Sequence, residues 1–198
     1  VSGTRGEQLA FPGLVFMADG VDIEKTWSTS ANFDLSPDNT TAMKRRGLFD
    51  RSFVISSLPF EDSVAVQIKT TGVFAPFDGI GFVGRSDYSG TFTSGSEAIG
   101  IDISNGEILS NATDTVTERA VERLGLGLPG GSDPKEWLLE LDVRAKTFTV
   151  SIVSQGFRRE VPWPGCPDKV YFAAAIRALK TSITVLDVRE TGLTKAAK

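Results

Sequence analysis

The feature that most constrains the fold is a succession of about a dozen short apolar or alternating runs, each broken by Gly, Pro, Asn or Asp. Many of these runs are rich in Val, Ile, Thr and Phe, which suit the pleated, half-buried surface of a β-sheet. Short strands separated by regular turns predict an all-β sandwich or barrel. The runs cover residues 9–17, 30–35, 40–45, 52–58, 63–71, 79–85, 97–103, 107–111, 136–143, 146–154, 169–176 and 182–188.

One insertion interrupts this pattern at residues 113–125. A short helix fits there, because Thr115 and Glu118 have the spacing of a capping box and Gly125 can end the helix. The apolar residues at 116 and 120 also flank Glu118 at alternate positions, so a strand remains an alternative. The sandwich is therefore expected to carry one short helix or an irregular insertion.

The chain of 198 residues shows no internal repeat and no low-complexity linker. We expect a single β-sandwich domain over residues 9–190, with flexible segments at 1–8 and 191–198. Residues 127–134, with three glycines and two prolines, are a loop by composition.

The residue counts exclude several kinds of chemistry. There is no histidine, which rules out Ser-His-Asp and Cys-His catalysis as well as histidine-ligated zinc. The single cysteine, Cys166, allows neither an internal disulfide nor a cysteine-cluster metal site, and it lies in a Pro-Gly-Cys-Pro turn. We expect no cofactor, no metal and no enzymatic activity. A lone cysteine is typical of a reducing compartment, so we expect an intracellular, cytoplasmic protein.

The charge balance and hydropathy argue against two classes of partner. The chain has 21 basic and 25 acidic residues and a net charge of −4, which provides no basic field for nucleic acid. Its longest apolar runs are far below the roughly 20 residues needed to span a bilayer. We therefore expect neither nucleic-acid binding nor membrane insertion.

The acidic strand at residues 136–143 raises the question of catalysis. A period of two places Trp137, Leu139 and Leu141 on one face of this strand. Glu140 and Asp142 lie on the other face, and paired carboxylates suggest glycosidase chemistry. Laminarinase-type enzymes have Glu-x-Asp-x-x-Glu on such a strand, but here Ala145 occupies the last position. We interpret this face as solvated, and a glycoside hydrolase is the last of the alternatives.

The stretch GIDISNGEIL, residues 100–109, contains acids around one glycine but not in calcium-loop order. Counted from Asp102, Gly106 falls one position early for an EF-hand and no acid follows at position 12. Asn105-Gly106 predicts a two-residue type I′ hairpin instead. The predicted register places Ser104 opposite Glu107, and it turns the three isoleucines at 101, 103 and 108 toward a core.

The order of these segments resembles the SPRY family, as a divergent member. A Leu-Ser strand with a turn and a basic strand comes first, followed by a glycine-containing strand and then a Gly-Ile-Asp strand with its Asn-Gly hairpin. A strand ending in Leu-Asp leads into a Phe-containing strand, and a penultimate apolar strand comes last. The segments that carry the resemblance are 33–47, 79–87, 100–109, 137–156 and 168–176.

The resemblance implies two packed antiparallel sheets and a role in protein–protein recognition through loops, as one module of a larger protein. Matching of loops to the family places candidate binding positions near Asp62, Arg85 and Arg158. Exposed aromatic and arginine side chains make good anchors, which adds Tyr88, Arg159 and Trp163. Each also has a structural alternative: packing for the two aromatics, and a solvated hairpin end for the Arg158–Arg159 pair.

A carbohydrate-binding sandwich is the second functional alternative. It would need aromatic side chains exposed on a concave sheet face beside polar groups such as Asp102, Glu140 and Asp142. The expected partner is thus a protein or short peptide, with a glycan as the alternative.

Overall fold

Twelve β-strands form two antiparallel sheets in the computed structural model, which describes residues 27–28, 31–46, 52–89, 91–110, 135–152 and 157–190. No helix occurs among these residues, and the predicted all-β, two-sheet class is confirmed. The strands are β1 (Phe33–Leu35), β2 (Thr41–Lys44), β3 (Ser52–Ile55), β4 (Val64–Thr71), β5 (Gly79–Val83), β6 (Ala98–Asp102), β7 (Ile108–Ser110), β8 (Lys135–Asp142), β9 (Thr147–Ile152), β10 (Phe157–Pro162), β11 (Tyr171–Ile176) and β12 (Ser182–Glu190).

The two sheets differ in size and in connection. The large sheet has seven strands in the order β1-β2-β12-β4-β8-β9-β10, and the small sheet has five in the order β3-β11-β5-β6-β7. In the large sheet, β1 and β2 are consecutive neighbours at one edge, and β8, β9 and β10 at the other. Strands β3 and β4, in contrast, belong to different sheets. The chain therefore crosses repeatedly between the two layers, and its loops collect at the ends of the sandwich.

The main core lies between the sheets and follows from alternation along the strands. In β8, Trp137, Leu139 and Leu141 are buried while the residues between them are half-buried, as the sequence predicts. Strand β4 alternates in the same way, with Val66 and Ile68 buried. Each such side chain contributes about 1.5–3 kcal/mol when it leaves water, so these two central strands hold the layers together.

A second apolar layer covers the outer face of the small sheet. Phe92, from the loop between β5 and β6, lies on Gly79 and Gly100, where an added Cβ atom would come within 3.0 Å of its ring. Phe53 of β3 packs beside it, with ring centroids 5.7 Å apart. The glycines of β5 and β6 thus leave space for an aromatic side chain from the chain's own loop.

Strand β10 is a correction to the sequence analysis, which treated its residues as a loop. The sequence FRREVP combines charges and a proline, which are depleted in strands. All six residues nevertheless pair with β9, from Phe157 opposite Ile152 to Pro162 opposite Thr147. Pro162 stands at the end of an edge strand, where its missing N–H costs least.

The hairpin between β6 and β7 is also shifted from its prediction. Ile101 pairs with Ile108, which leaves five residues, 103–107, between the two strands. Of these only Gly106 has a positive φ, 79°, whereas a type I′ turn needs two such residues. The predicted turn is therefore wrong, but the shift is by two residues, so each isoleucine keeps its predicted face toward the core.

Some predictions lie outside the described residues. They are the strand at 9–17, the helix or irregular insertion at 113–125, the loop at 127–134 and the flexible segments at 1–8 and 191–198.

Candidate functional site

The loops form two groups at opposite ends of the sandwich. The group that we name the Arg85 end comprises residues 56–63, 84–89, 91–97, 143–146 and 163–170. The group that we name the Phe77 end comprises residues 72–78, 103–107 and 177–181. The registers fix this division: at one end of β5, Val83 pairs with Ala98 and Tyr171, and at the other end Gly79 pairs with Asp102 and Ala175.

Trp163 does not form the exposed anchor that was predicted. Its side chain has 0% exposure and belongs to the main core. The indole Nε1 donates a hydrogen bond to the carbonyl oxygen of Ser96 at 2.8 Å. The backbone N–H of Trp163 donates to the carbonyl oxygen of Lys146 at 2.7 Å. The packing alternative describes Trp163 correctly: it ties the β5–β6 loop and the β8–β9 turn to the β10–β11 connection.

Tyr88 is also buried, with 6% exposure, which corrects the second predicted aromatic anchor. Its hydroxyl donates to the carbonyl oxygen of Thr91 at 2.7 Å, and its ring meets Phe53 edge-to-face with centroids 5.4 Å apart. Buried tyrosines usually find such a partner for the hydroxyl. Tyr88 therefore closes the β5–β6 loop onto the outer face of the small sheet.

Asp62 and Arg85 both lie at the Arg85 end, on different loops, and both have partly exposed side chains. Asp62 accepts from the Arg144 guanidinium at 2.9 Å, and Arg85 lies 3.3 Å from the Glu97 carboxylate. Exposed ion pairs of this kind contribute only about 0–1 kcal/mol, so a partner can replace them at little cost. These two residues are available for recognition on a rigid support.

Arg158 and Arg159 are placed elsewhere, on β10. Arg158 stands opposite Ser151 on the outer face of the large sheet, and its guanidinium lies 3.4 Å from the Glu140 carboxylate. Arg159 faces the other side of the strand and is partly buried. The structure therefore does not bring the two arginines of β10 together with Asp62 and Arg85.

The loop at residues 72–78 is a feature that the sequence analysis missed. Val73 is 62% exposed and Phe77 51% exposed, more than any other large apolar side chain among the described residues. Gly72 has φ 108° and Phe77 has φ 66°, so two residues of this loop adopt the left-handed region. The available signal was an aromatic side chain in a Pro-Phe-Asp-Gly turn, where no alternation indicates its burial.

Two buried aspartates hold this loop in place. Asp78 accepts backbone N–H groups from Ala75 at 2.8 Å, Arg177 at 2.7 Å and Ala178 at 3.2 Å. Asp102 accepts the backbone N–H of Phe77 at 2.6 Å. Burial raises the pKa of Asp78 above its ordinary value, although the three N–H donors act in the opposite direction. These carboxylates are therefore structural supports of the loop.

Asp102 also holds the acidic hairpin through its second carboxylate oxygen. This oxygen accepts the backbone N–H and the hydroxyl of Ser104, at 2.8 and 2.6 Å. No group of three or more His, Cys, Asp or Glu side chains with metal-binding geometry occurs in the described part of the chain. Both oxygens of Asp102 serve the backbone of the two neighbouring loops.

Cys166 is buried at the Arg85 end. Burial raises the pKa of its thiol to about 11, which disfavours the reactive thiolate at neutral pH. Its backbone N–H donates to the Trp163 carbonyl oxygen at 2.9 Å, so the cysteine is part of the turn that the sequence analysis expected.

Among the residues with described structure, no helix is long and apolar enough to cross a membrane.

The two antiparallel sheets and their strand order define a SPRY-like sandwich of the concanavalin A type. The SPRY domain of human HERC1 superposes with a TM-score of 0.55 at 11% identity, over 81% of this chain and 94% of that one. The PSpry domain of TRIM65 gives a TM-score of 0.56 at 10% identity, over 82% of this chain and 88% of that one. The predicted resemblance to SPRY domains is confirmed at the level of the fold.

Stonustoxin has a similar region, with a TM-score of 0.55 at 16% identity. The match covers 83% of this chain but only 27% of the stonustoxin chain. No protein-family model matches the sequence, and no curated protein matches it either. At such low identities the similarity concerns the fold alone, so function has to be argued from the loops.

Proposed function

We propose that this domain is a non-catalytic interaction module that recognises a peptide or protein surface through the loops of the Arg85 end. Its partner would contact Arg85 and Asp62. Arg85 lies in the loop between β5 and β6 of the small sheet, and Asp62 lies in the loop that connects β3 of the small sheet to β4 of the large sheet. The resemblance to SPRY domains, whose role is recognition, supports this class of function. Rigid sandwiches commonly carry their binding residues on such loops.

The observation that carries the proposal is the way in which these loops are fixed. Trp163 and Tyr88 are buried and hydrogen-bonded within them, and Phe92 lies on the glycines of the small sheet. The loop bearing Arg85 is therefore ordered before a partner arrives. A preordered loop loses little conformational entropy on binding, which favours affinity from a small contact area.

The glycan and hydrolase alternatives are less well supported, because the polar groups that they require have structural partners. Asp142 caps the β8–β9 turn by accepting the backbone N–H groups of Arg144 at 3.0 Å and Ala145 at 2.8 Å. Glu140 is paired with Arg158, and Asp102 is fully buried. The outward-facing residues of β4, β8 and β9 include no aromatic side chain on which a sugar ring could stack.

Quantitative affinity capture from cells tests the proposal. The captured amount of each partner that the wild-type domain enriches should fall at least tenfold with Arg85→Glu and with Asp62→Lys. Arg45→Glu is the matched control, because it reverses an arginine of another exposed ion pair, with Asp34, and Arg45 follows β2 at the opposite end of the sandwich. Retention of every partner by both variants would reject the Arg85 end. A competable glycan-array signal, or β-glucan hydrolysis lost in Glu140→Gln, would reject the function itself.

A further inference from the structure

We propose that the Phe77 end carries a second docking site, separate from the Arg85 end, for a short peptide with an apolar side chain beside carboxylates. The site consists of Val73 and Phe77 with Arg177 and Lys180 next to them. It goes beyond the proposed function, because it uses the opposite end of the sandwich and can act whether or not Arg85 binds a partner.

The first argument is exposure combined with rigidity. Phe77 has a left-handed backbone, φ 66°, which costs a residue with a Cβ roughly 1–2 kcal/mol. The fold meets this cost with hydrogen bonds: Asp102 accepts the Phe77 N–H, and Asp78 binds the loop to the residues after β11. An aromatic ring that is 51% exposed on so fixed a backbone loses little entropy when a partner covers it.

The second argument is contact between this loop and a basic turn. The Arg177 guanidinium donates to the Pro76 carbonyl oxygen at 3.2 Å, directly before Phe77. On the other side, a Cβ atom at Gly72 would lie 3.0 Å from the Lys180 carbonyl oxygen, so the loop and the turn touch. The Lys180 N–H donates to the Lys44 carbonyl oxygen at 3.1 Å, which fixes the turn. Two cations therefore border the apolar loop.

The third argument selects the occupant by charge. Asp78 and Asp102, which support this loop, are buried and engaged with backbone N–H groups, and Glu107 of the neighbouring hairpin is partly buried. Lys180, in contrast, is exposed and Arg177 is partly exposed. A segment with carboxylates complements these cations, and a basic segment would be repelled. The surface is small, so the fit is to a short segment with an affinity on the order of micromolar.

A random twelve-residue peptide library, selected on the immobilised wild-type domain, tests the proposal. The expected peptides carry an aromatic or aliphatic side chain within a few positions of Asp or Glu. Fluorescence anisotropy of a selected peptide should show at least a tenfold rise in Kd for Phe77→Ser and a several-fold rise for Arg177→Gln. Leu58→Ser is the matched control, because Leu58 is 45% exposed but lies at the Arg85 end, and it should leave Kd unchanged.

The outcomes separate this site from the Arg85 end. Peptides that lose affinity with Arg85→Glu but keep it with Phe77→Ser would reject the second site and leave the proposed function standing. Recovery of no acidic-apolar peptide would reject the second site as well. The last probe is a vesicle of phosphatidylcholine and phosphatidylserine. If the domain sediments with these vesicles in a Phe77-dependent way and binds no peptide, the peptide proposal is rejected and the site binds a lipid surface instead. Folding of each variant is checked by its unfolding transition.

Discussion

Aromatic side chains have opposite uses at the two ends of this sandwich. At the Arg85 end, Tyr88 and Trp163 are buried and brace the loops from inside. At the Phe77 end, the loop is braced by the buried carboxylates of Asp78 and Asp102, and the Phe77 ring stays half exposed. A loop can thus be made rigid by apolar packing or by buried hydrogen bonds, and among the described residues of this sandwich only the second leaves an aromatic side chain half exposed.

Among the tests of this comparison, Trp163→Ala should have the largest effect. Loss of a fully buried indole should lower the free energy of unfolding by about 3–5 kcal/mol. Trp163→Phe, the matched control, keeps most of the ring but removes the Nε1 donor to Ser96, which should cost about 1–3 kcal/mol. Urea unfolding measures both; a loss below about 1 kcal/mol for the alanine variant would contradict the bracing role.

The second prediction concerns the glycines beneath Phe92. A Cβ at Gly100 would lie 2.8 Å from the Ile80 carbonyl oxygen and 3.0 Å from the Phe92 ring, so Gly100→Ala should cost about 1–3 kcal/mol. Gly95→Ala is the control, because its Cβ would meet only the Tyr88 hydroxyl at 4.0 Å. Chemical denaturation should show no loss for Gly95→Ala, and equal losses for the two variants would refute the close packing.

The third prediction is a pH dependence at the Phe77 end. Asp78→Asn should destabilise by about 1–3 kcal/mol, because one backbone N–H loses its acceptor. The folded pKa of Asp78 is raised above 3.8, so ionisation disfavours the folded wild type as the pH rises. The difference in free energy of unfolding between wild type and Asp78→Asn should therefore shrink as the pH rises from about 3.9 through the raised pKa.

Unfolding curves of both proteins across this acid range provide the measurement. The comparison between wild type and variant removes the contribution of the other carboxylates. A deficit that grows as the pH rises would show that the three N–H donors outweigh burial in setting the pKa of Asp78.

The fourth prediction separates stability from binding. Phe77→Asn should raise the free energy of unfolding by up to about 1 kcal/mol, because asparagine tolerates the left-handed region better. Peptide binding at the Phe77 end should fall in the same variant. Lys146→Asn is the control at the Arg85 end, where Lys146 has φ 54°: it should gain similar stability in thermal denaturation with no change in that binding.

The smallest effect is expected at Cys166. With its pKa at about 11, the thiol should react very slowly with iodoacetamide at pH 8 in the folded protein and rapidly in denaturant. Mass spectrometry follows the modification. Rapid alkylation of the native state would show that the Arg85 end opens, which would undermine the rigid support proposed there.

The sequence was sufficient to predict most strands and their faces. Alternation in residues 136–143 assigned Trp137, Leu139 and Leu141 to the core, and the structure confirms all three. Even the hairpin kept its faces, since an error of two residues preserves the side-chain period. Local patterns of this kind report on the nearest neighbours along a strand, and they are strong enough to define the sandwich.

The candidate site depended on contacts that no local pattern contains. Trp163 is buried in the main core, and its indole donates a hydrogen bond to Ser96, which is 67 residues away in the chain. Its two neighbouring prolines suggested a stiff exposed turn, and nothing nearby indicated the partner. Phe77 presented a similar problem, because the acceptor of its backbone N–H is Asp102, 25 residues away, and no local pattern connects the two.

Strand β10 has a consequence for how copies of this domain behave in concentrated solution. It is the last strand of the large sheet among the described residues, and a free strand edge is a template on which another chain can add. Arg158, Glu160 and Pro162 are exposed along it. Charges resist burial against a second edge, and proline offers no donor, so this border discourages aggregation through edge-to-edge pairing.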